Sequence, residues 1–508
     1  MQTKEQLLKK LRPLGQTQLL TFWDELDSEQ QQSLSLQIEE IDFDELNALF
    51  EHRNDPPASA AMADRAKEPV SFRLSDTREQ ILPLDDRLYK DYQYNPNEAI
   101  AAGEKALRNG KLAIVVVAGG QGTRLDFHHA KGIFPIGPVS GVSLFQIHIE
   151  RIRAMSKKYG ARIPFCIQTS PATHQETIDY FRANHNFGLA EEDVLIFCQS
   201  TMPSVDWNDG KVLLAAKDRI ARSPDGHGGM LFAINSPQPD SPIPTVAEKG
   251  ILAELIRRQK EEIFYFQVDN PVIDICSPEF IGYHLLSGSE FSSQVIRKQH
   301  PQDRVGNMVL VDGKLNVIEY CDLPDEAAQR RKPDGSLEIW AGSIAVHMMN
   351  IDFLRRKASY SSSLPFHIAK KKVPYVVLDP TLKNENGIPL YGSVLKPKTP
   401  NAIKYEKFIF DLLPQAKNPI VIEVDIQTCF APLKNHPDQP TDNPQTVRKQ
   451  LCDLYRLWLN NIGIRVADNV LVEISPLFAN SAKELKQQLE KRSMIPDSGV
   501  IEQSVYWQ

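Results

Sequence analysis

The chain has 508 residues, 42% hydrophobic and 24% charged, with a formal net charge of −7 from 58 basic and 65 acidic side chains. That length suits about three domains with a core that needs no covalent staple. An acidic balance without a long basic run argues against a nucleic-acid or anionic-membrane binder, and six widely spaced cysteines without a CxxC pair argue against a disulfide framework or a zinc site.

The N-terminus, MQTKEQLLKKL, is polar and amphipathic, lacks a signal-peptide apolar region, and predicts a cytoplasmic protein with buried thiols. Residues 4–51 read as helices. Leu7, Leu8 and Leu11 recur at helical spacing, and Ser28 with Gln31 suggests a capping box. Residues 52–70 are Pro/Ala-rich and polar and read as a linker. From residue 97 an amphipathic helix ends at Gly110, and LAIVVV follows as an apolar β-branched run suited to a parallel strand covered on both faces. Further strands are expected at 163–169, 194–198, 263–268 and 294–298, with helices at 144–157 and 174–184 between them. This alternation predicts an α/β sheet with right-handed crossovers. Towards the end come helices at 448–460 and 481–492. The expected division is an N-terminal helical segment and linker (1–70), an α/β core (71–399) and a smaller α+β domain (400–508).

The segment VVVAGGQGTRLDFHHAK, residues 115–131, carries the strongest chemical signal. A strand runs directly into Gly119, Gly120 and Gly122, where the backbone can approach a phosphate and present its N–H groups. Arg124 and Lys131 add fixed positive charge. Leu125 stands where a dinucleotide fingerprint needs its third glycine, and no Gly-Lys-Ser/Thr ending is present, so a Rossmann oxidoreductase and a P-loop kinase are disfavoured.

These residues resemble the eukaryotic-type UDP-sugar pyrophosphorylases, most closely the UDP-N-acetylglucosamine pyrophosphorylase branch. The glycine segment is AGGQGTRLD…AKG at 118–132. In order along the chain come LLTFWDEL (19–26), SLFQIHIERI (143–152), DGHGG (225–229), QVDNP (267–271), VIEY (317–320), AGSI (341–344), PNAIKYEKFIFD (400–411), APLKN (431–435) and EISPL (473–477). The resemblance implies a Rossmann-like mixed sheet and an in-line attack of a sugar phosphate on the α-phosphorus of UTP, releasing pyrophosphate. Mg²⁺ or Mn²⁺ is implied on the phosphates.

Carried over by position, Val117, Ala118, Gly119 and Gly120 hold the nucleotide through backbone, while Arg124 and Lys131 face its phosphates. Gln199 and Gly226 lie on the uracil side. Asp269, at a strand end where open α/β sheets bind ligands, is the metal carboxylate. Glu319 meets sugar hydroxyls, and Lys404 and Lys434 are phosphate-directed. Phe408 and Phe410 resemble aromatics near the sugar, yet their spacing equally suits one face of a strand. His227 and Ser343 stand where the acetylglucosamine branch usually has Asn. A His between the glycines resembles the UDP-glucose pyrophosphorylases, so glucose-1-phosphate or a broad hexose-1-phosphate specificity stays open. Ala130 replaces a proline and Asp126 a glycine of the family pattern. An inactive nucleotide-sugar sensor is the third reading. No nucleic-acid or membrane partner is expected, and the protein is expected to be a monomer or weak oligomer.

Overall fold

The LAIVVV run forms a strand because five of its six side chains are buried and its β-branched residues suit a pleat covered on both faces. In this computed structural model, which describes residues 2–55, 61–69, 71–73, 95–360 and 363–508, that strand lies inside a ten-stranded sheet. In chain order the sheet comprises β1 (Ser71–Arg73), β2 (Leu112–Val117), β3 (Phe165–Thr169), β4 (Val194–Cys198), β5 (Glu262–Gln267), β6 (Phe291–Arg297), β7 (Gly306–Val311), β8 (Lys314–Ile318), β9 (Ala341–Asn350) and β10 (Ile420–Glu423). The main path runs β1-β10-β6-β9-β5-β2-β3-β4, with the β7–β8 hairpin joined to β9. Strands β5, β2, β3 and β4 are mutually parallel, and β9 runs antiparallel to both neighbours. The predicted α/β mixed sheet is therefore present.

The chain divides into two compact units, discontinuous in sequence and so cutting across the three consecutive segments expected. The larger comprises Ala58–Cys198, Met230–Ser363 and Phe410–Gln508 and contains the sheet. Helix α1 (Leu144–Tyr159) has Ser143 as its N-cap and ends at Gly160 in the left-handed conformation. Its apolar stripe, with Leu144, Phe145, Ile149 and Ile152, joins the strands' core. Helix α2 (Pro444–Asn461) and two small parallel strand pairs close the C-terminal part, adding Tyr455, Trp458 and Trp507 to that core.

The smaller unit comprises Met1–Pro57, Gln199–Gly229 and Leu364–Ile409. Its N-terminal helices bury Leu7, Leu11, Trp23 and Leu34 against Val205, Val212, Ile403 and Tyr405. Gln16 ties the segments together, donating to the Gly210 carbonyl (3.1 Å) and accepting from the Val212 N–H (2.9 Å). The second long helix is Ser28–Glu39, but its cap is Asp27 paired with Gln30, not Ser28 with Gln31. A carboxylate one residue earlier already satisfies the first-turn donor, so the helix starts there.

The expected linker also needs correction in its described part. Residues 56–60 and 70 lie outside the described residues, but at 61–69 Ala63 and Ala66 are buried and Lys67 pairs through its backbone with Leu310. Small side chains there let the chain pack closely on the β7–β8 hairpin's cluster instead of running free. The cysteines are all free thiols, and Cys321 is exposed rather than buried. No described helix is long and apolar enough to cross a membrane.

Candidate functional site

Within the larger unit, parallel pairing decides what meets what. Strands β2 and β5 lie side by side with Val117 opposite Gln267, so both end at the same edge. From β2 the chain enters Gly119–Gly120, and from β5 it reaches Asp269. The Gly119 carbonyl accepts from Ser170 Oγ (2.6 Å), and the Lys131 N–H donates to the Gly120 carbonyl (3.0 Å), folding residues 120–131 back as a loop. Lys131 Nζ then lies 3.3 Å from Asp269 Oδ2, both side chains largely buried. Gly132 is glycine for packing: a Cβ there would sit 2.2 Å from the Phe145 ring. Gly120 faces open space and Arg124 is exposed, so that edge of the loop is available to a ligand.

The two departures in this loop have structural explanations. Asp126 adopts φ 56°, ψ 35°, the left-handed region where glycine is preferred and aspartate tolerated, and its carboxylate is exposed. Ala130 uses an N–H that proline lacks. That N–H donates to Glu176 Oε2 (2.7 Å), while Glu176 Oε1 is 2.5 Å from His129 Nδ1. A hydrogen-bonded anchor from the helix His174–Ala183 thus stands where ring rigidity would otherwise stiffen the loop.

Asp269 is held from behind. Fully buried His148 of α1 has Nε2 2.9 Å from the Val268 carbonyl, and burial lowers its pKa to about 3, so the ring is neutral and Nε2–H is the donor. The Asp269 carbonyl accepts from Leu433 N–H (2.9 Å), which brings the Lys434 segment to the same strand end. The N–H groups of Lys434 and Asn435 both donate to the Asp442 carbonyl. Burial raises the Asp442 carboxyl's pKa, with Lys434 opposing and Asp269 reinforcing that shift. Elsewhere in this unit Glu319 and Ser343 converge. A Cβ on Gly306 would lie 3.3 Å from Glu319 Oε1 and 3.9 Å from Ser343 Cβ. Phe410 is buried in the 3-10 turn Ile409–Gln415 and not on a strand.

In the smaller unit, Gln199, Gly226, His227, Lys404 and Phe408 occur together with a residue that the sequence reading passed over. Asp225 is buried under the DGHGG turn, and burial pushes its pKa up to about 7 against the opposing effects of Lys407 and Gln199. Its carbonyl accepts from the Lys407 N–H (2.7 Å), and the Lys407 carbonyl accepts from Gly228 N–H (2.8 Å). Gly226, at φ +83°, must be glycine because a Cβ would meet the Lys407 carbonyl at 2.4 Å. The His227 ring stacks on Phe408 with centroids 5.2 Å apart, so Phe408 is neither on a strand face nor in the core. Burial, then nearby His367, lowers the His227 pKa to about 4. Lys404 is half-buried on the strand Ala402–Glu406, where desolvation lowers its pKa. The carboxyl before the glycines was visible in DGHGG, but its burial was not.

Residues 74–499 match the family model described as UTP–glucose-1-phosphate uridylyltransferase. The chain belongs to this family. It is an enzyme that transfers uridylyl groups. This uridylyltransferase is 32% identical to the UDP-N-acetylglucosamine pyrophosphorylase of Saccharomyces cerevisiae, covering 96% of this chain and 97% of that one. It is also 32% identical to the human UDP-N-acetylhexosamine pyrophosphorylase-like protein 1, over 97% of this chain and 96% of the relative. Its fold matches the crystal structure of the Trypanosoma brucei uridine diphosphate N-acetylglucosamine pyrophosphorylase, with TM-score 0.78 over all of this chain and 98% of the other, at 24% identity. Among the described residues no group of three or more His, Cys, Asp and Glu side chains is gathered for a metal. A single carboxylate still fits a cation that takes its remaining ligands from phosphate oxygens and water, as Mg²⁺ commonly does.

Proposed function

We propose that this uridylyltransferase joins UTP to N-acetylglucosamine-1-phosphate, giving UDP-N-acetylglucosamine and pyrophosphate. The observation that carries the reading is the Lys131–Asp269 pair, 3.3 Å apart at the ends of two adjacent parallel strands, beside a glycine loop open to solvent. A cation and a carboxylate held so close suit a polyphosphate and its divalent cation: Lys131 and Arg124 neutralise phosphate charge, and Asp269 gives Mg²⁺ or Mn²⁺ one oxygen. When bound, the metal would offset charge on the leaving pyrophosphate.

The remaining assignments follow the family pattern. Val117, Ala118, Gly119 and Gly120 line the nucleotide with backbone, and Gln199 and Gly226 receive uracil. By the same pattern Lys404 and Lys434, both from the 400–508 segment, are assigned to the phosphates, and Glu319, Ser343, His227, Phe408 and Phe410 are assigned to the sugar. The convergence of Glu319 and Ser343 at Gly306 supports their grouping. In this reading the 71–399 segment carries the core chemistry, the 400–508 segment contributes phosphate-directed lysines, and the enzyme works in the cytoplasm as a monomer or weak oligomer.

A second reading, glucose-1-phosphate as the sugar, draws on His227 between the DGHGG glycines. The sensor reading is weakened by the presence of Arg124, Lys131, Asp269 and Lys434 together. Pyrophosphate release from UTP, measured with a panel of sugar-1-phosphates, tests all three. The first reading requires N-acetylglucosamine-1-phosphate to give the highest kcat/KM. No pyrophosphate release with any sugar-1-phosphate would sink it in favour of the sensor.

A further inference from the structure

Asn270 follows the proposed metal carboxylate, and its side chain is 2% exposed. Its Nδ2 donates to the Cys429 carbonyl (2.8 Å), and its Oδ1 accepts from the Ala431 N–H (3.0 Å) and, at longer range, from the Val272 N–H (3.4 Å). One residue earlier, the Asp269 carbonyl accepts from the Leu433 N–H (2.9 Å). Residues 269 and 270 therefore engage Cys429, Ala431 and Leu433 in alternation. A side-chain amide offers a donor and an acceptor in one plane, as a neighbouring strand's peptide would. The segment 430–434 forms no helix or strand of its own. Upstream, Gln450 Nε2 holds the Phe430 carbonyl (2.8 Å), but that contact ties the segment to α2 and not to the strand end.

Lys434 is the next residue after this pairing ends. The Leu433 N–H bond to the Asp269 carbonyl places the Lys434 backbone one residue beyond that contact. We infer that Asn270 is a positioning residue: its amide registers the Lys434 segment against Asp269, so that the lysine and the metal carboxylate address one polyphosphate. The inference rests on the proposed phosphate role of Lys434. It assigns Asn270 no contact with substrate. A buried amide with both ends bonded to backbone resists displacement, because losing one partner leaves a buried polar group unsatisfied.

The test is a double-mutant comparison with pyrophosphate release as the readout. Asn270→Ser in the wild-type background is expected to lower kcat by about tenfold or more while the KM for UTP changes by less than about threefold, since a displaced transition-state contact acts on turnover. In the Lys434→Ala background the same substitution should change kcat by less than about twofold, because residues acting through one another are not additive. Gln450→Leu is the control. It frees the Phe430 carbonyl from the helix Pro444–Asn461 and leaves the Asn270 bonds in place, so kcat should change by less than about threefold. Should Asn270→Ser fold too poorly to assay, Asn270→Thr makes the same comparison, removing the amide's donor to Cys429 without adding a charge. Equal losses in both backgrounds, or wild-type kcat in a folded variant, would overturn the inference alone. A wild-type protein that neither binds UTP nor releases pyrophosphate would overturn the functional reading and this inference with it.

Discussion

Lys131 Nζ lies 3.3 Å from Asp269 Oδ2, an ion pair between residues 138 positions apart in sequence. Two partly buried charges of opposite sign hold each other in place until a polyanion competes for the lysine and a cation for the carboxylate. Lys131→Ala should therefore cut kcat by about a hundredfold or more through lost phosphate stabilisation. Circular dichroism should remain native-like. Near-normal turnover in that folded variant would remove Lys131 from the phosphate site.

Asp269 leads to a separate expectation for the metal. Activity should vanish in excess chelator and return with Mg²⁺ or Mn²⁺, and Asp269→Asn should raise the cation concentration giving half-maximal rate. A neutral amide oxygen is a weaker ligand for a hard cation, so the shift should exceed any change in the KM for the sugar phosphate. Full activity with chelator present would count decisively against a metal at Asp269.

Glu176 substitutes for a missing proline. Its carboxylate receives the Ala130 N–H at 2.7 Å, one residue before Lys131. Glu176→Ala should lower kcat by about three- to tenfold, the loss of a charge-assisted hydrogen bond being worth about 1 kcal/mol or slightly more. Adding Ala130→Pro to Glu176→Ala should recover part of that loss, because the ring restrains φ without needing the N–H. A double variant slower than Glu176→Ala would show that the bond does more than stiffen the loop.

Asp225 predicts a pH dependence of stability. Its carboxyl titrates at about 7 in the folded protein because burial disfavours its charge, against an ordinary value of 3.8. Between these values the native state holds a proton that the unfolded chain has released. Stability from this group is therefore full below about pH 4, falls as pH rises towards 7, and is level above. Denaturant unfolding of the wild type and Asp225→Asn should diverge across that interval, the wild type losing relative stability as pH rises. Parallel curves from pH 4 to 7 would refute the buried, protonated carboxyl.

The sugar side predicts a change in specificity without a change in nucleotide affinity. His227→Asn together with Ser343→Asn should move the ratio of kcat/KM for N-acetylglucosamine-1-phosphate over glucose-1-phosphate. One altered hydrogen bond of about 1 kcal/mol corresponds to roughly fivefold. The KM for UTP should stay within about threefold on the same argument from differential binding. A weakened UTP KM with an unchanged sugar ratio would put both residues on the nucleotide side.

Much of the architecture was legible in local pattern. LAIVVV read as a covered parallel strand, and the helices 144–157 and 174–184 were found to within two residues, because apolar periodicity and caps act over a few positions. The glycine loop with Arg124 and Lys131, and the ordered motifs that identify the family, were likewise written in the chain. The tertiary structure decided what those motifs face. Neighbouring parallel strands β2 and β5 brought Lys131 to Asp269. The packing of residues 429–433 against the end of β5 gave Asn270 its partners. Burial turned Asp225 into a carboxyl that titrates near neutrality. Phe408, whose spacing suited a strand face as well as a sugar-side aromatic, stacks on His227, and Glu176 bonds the Ala130 N–H of a loop 46 residues away. The reason is one of range. Propensity and periodicity are set by covalent neighbours, whereas desolvation, hydrogen-bond partners and charge pairing depend on residues that meet only after the sheet has formed.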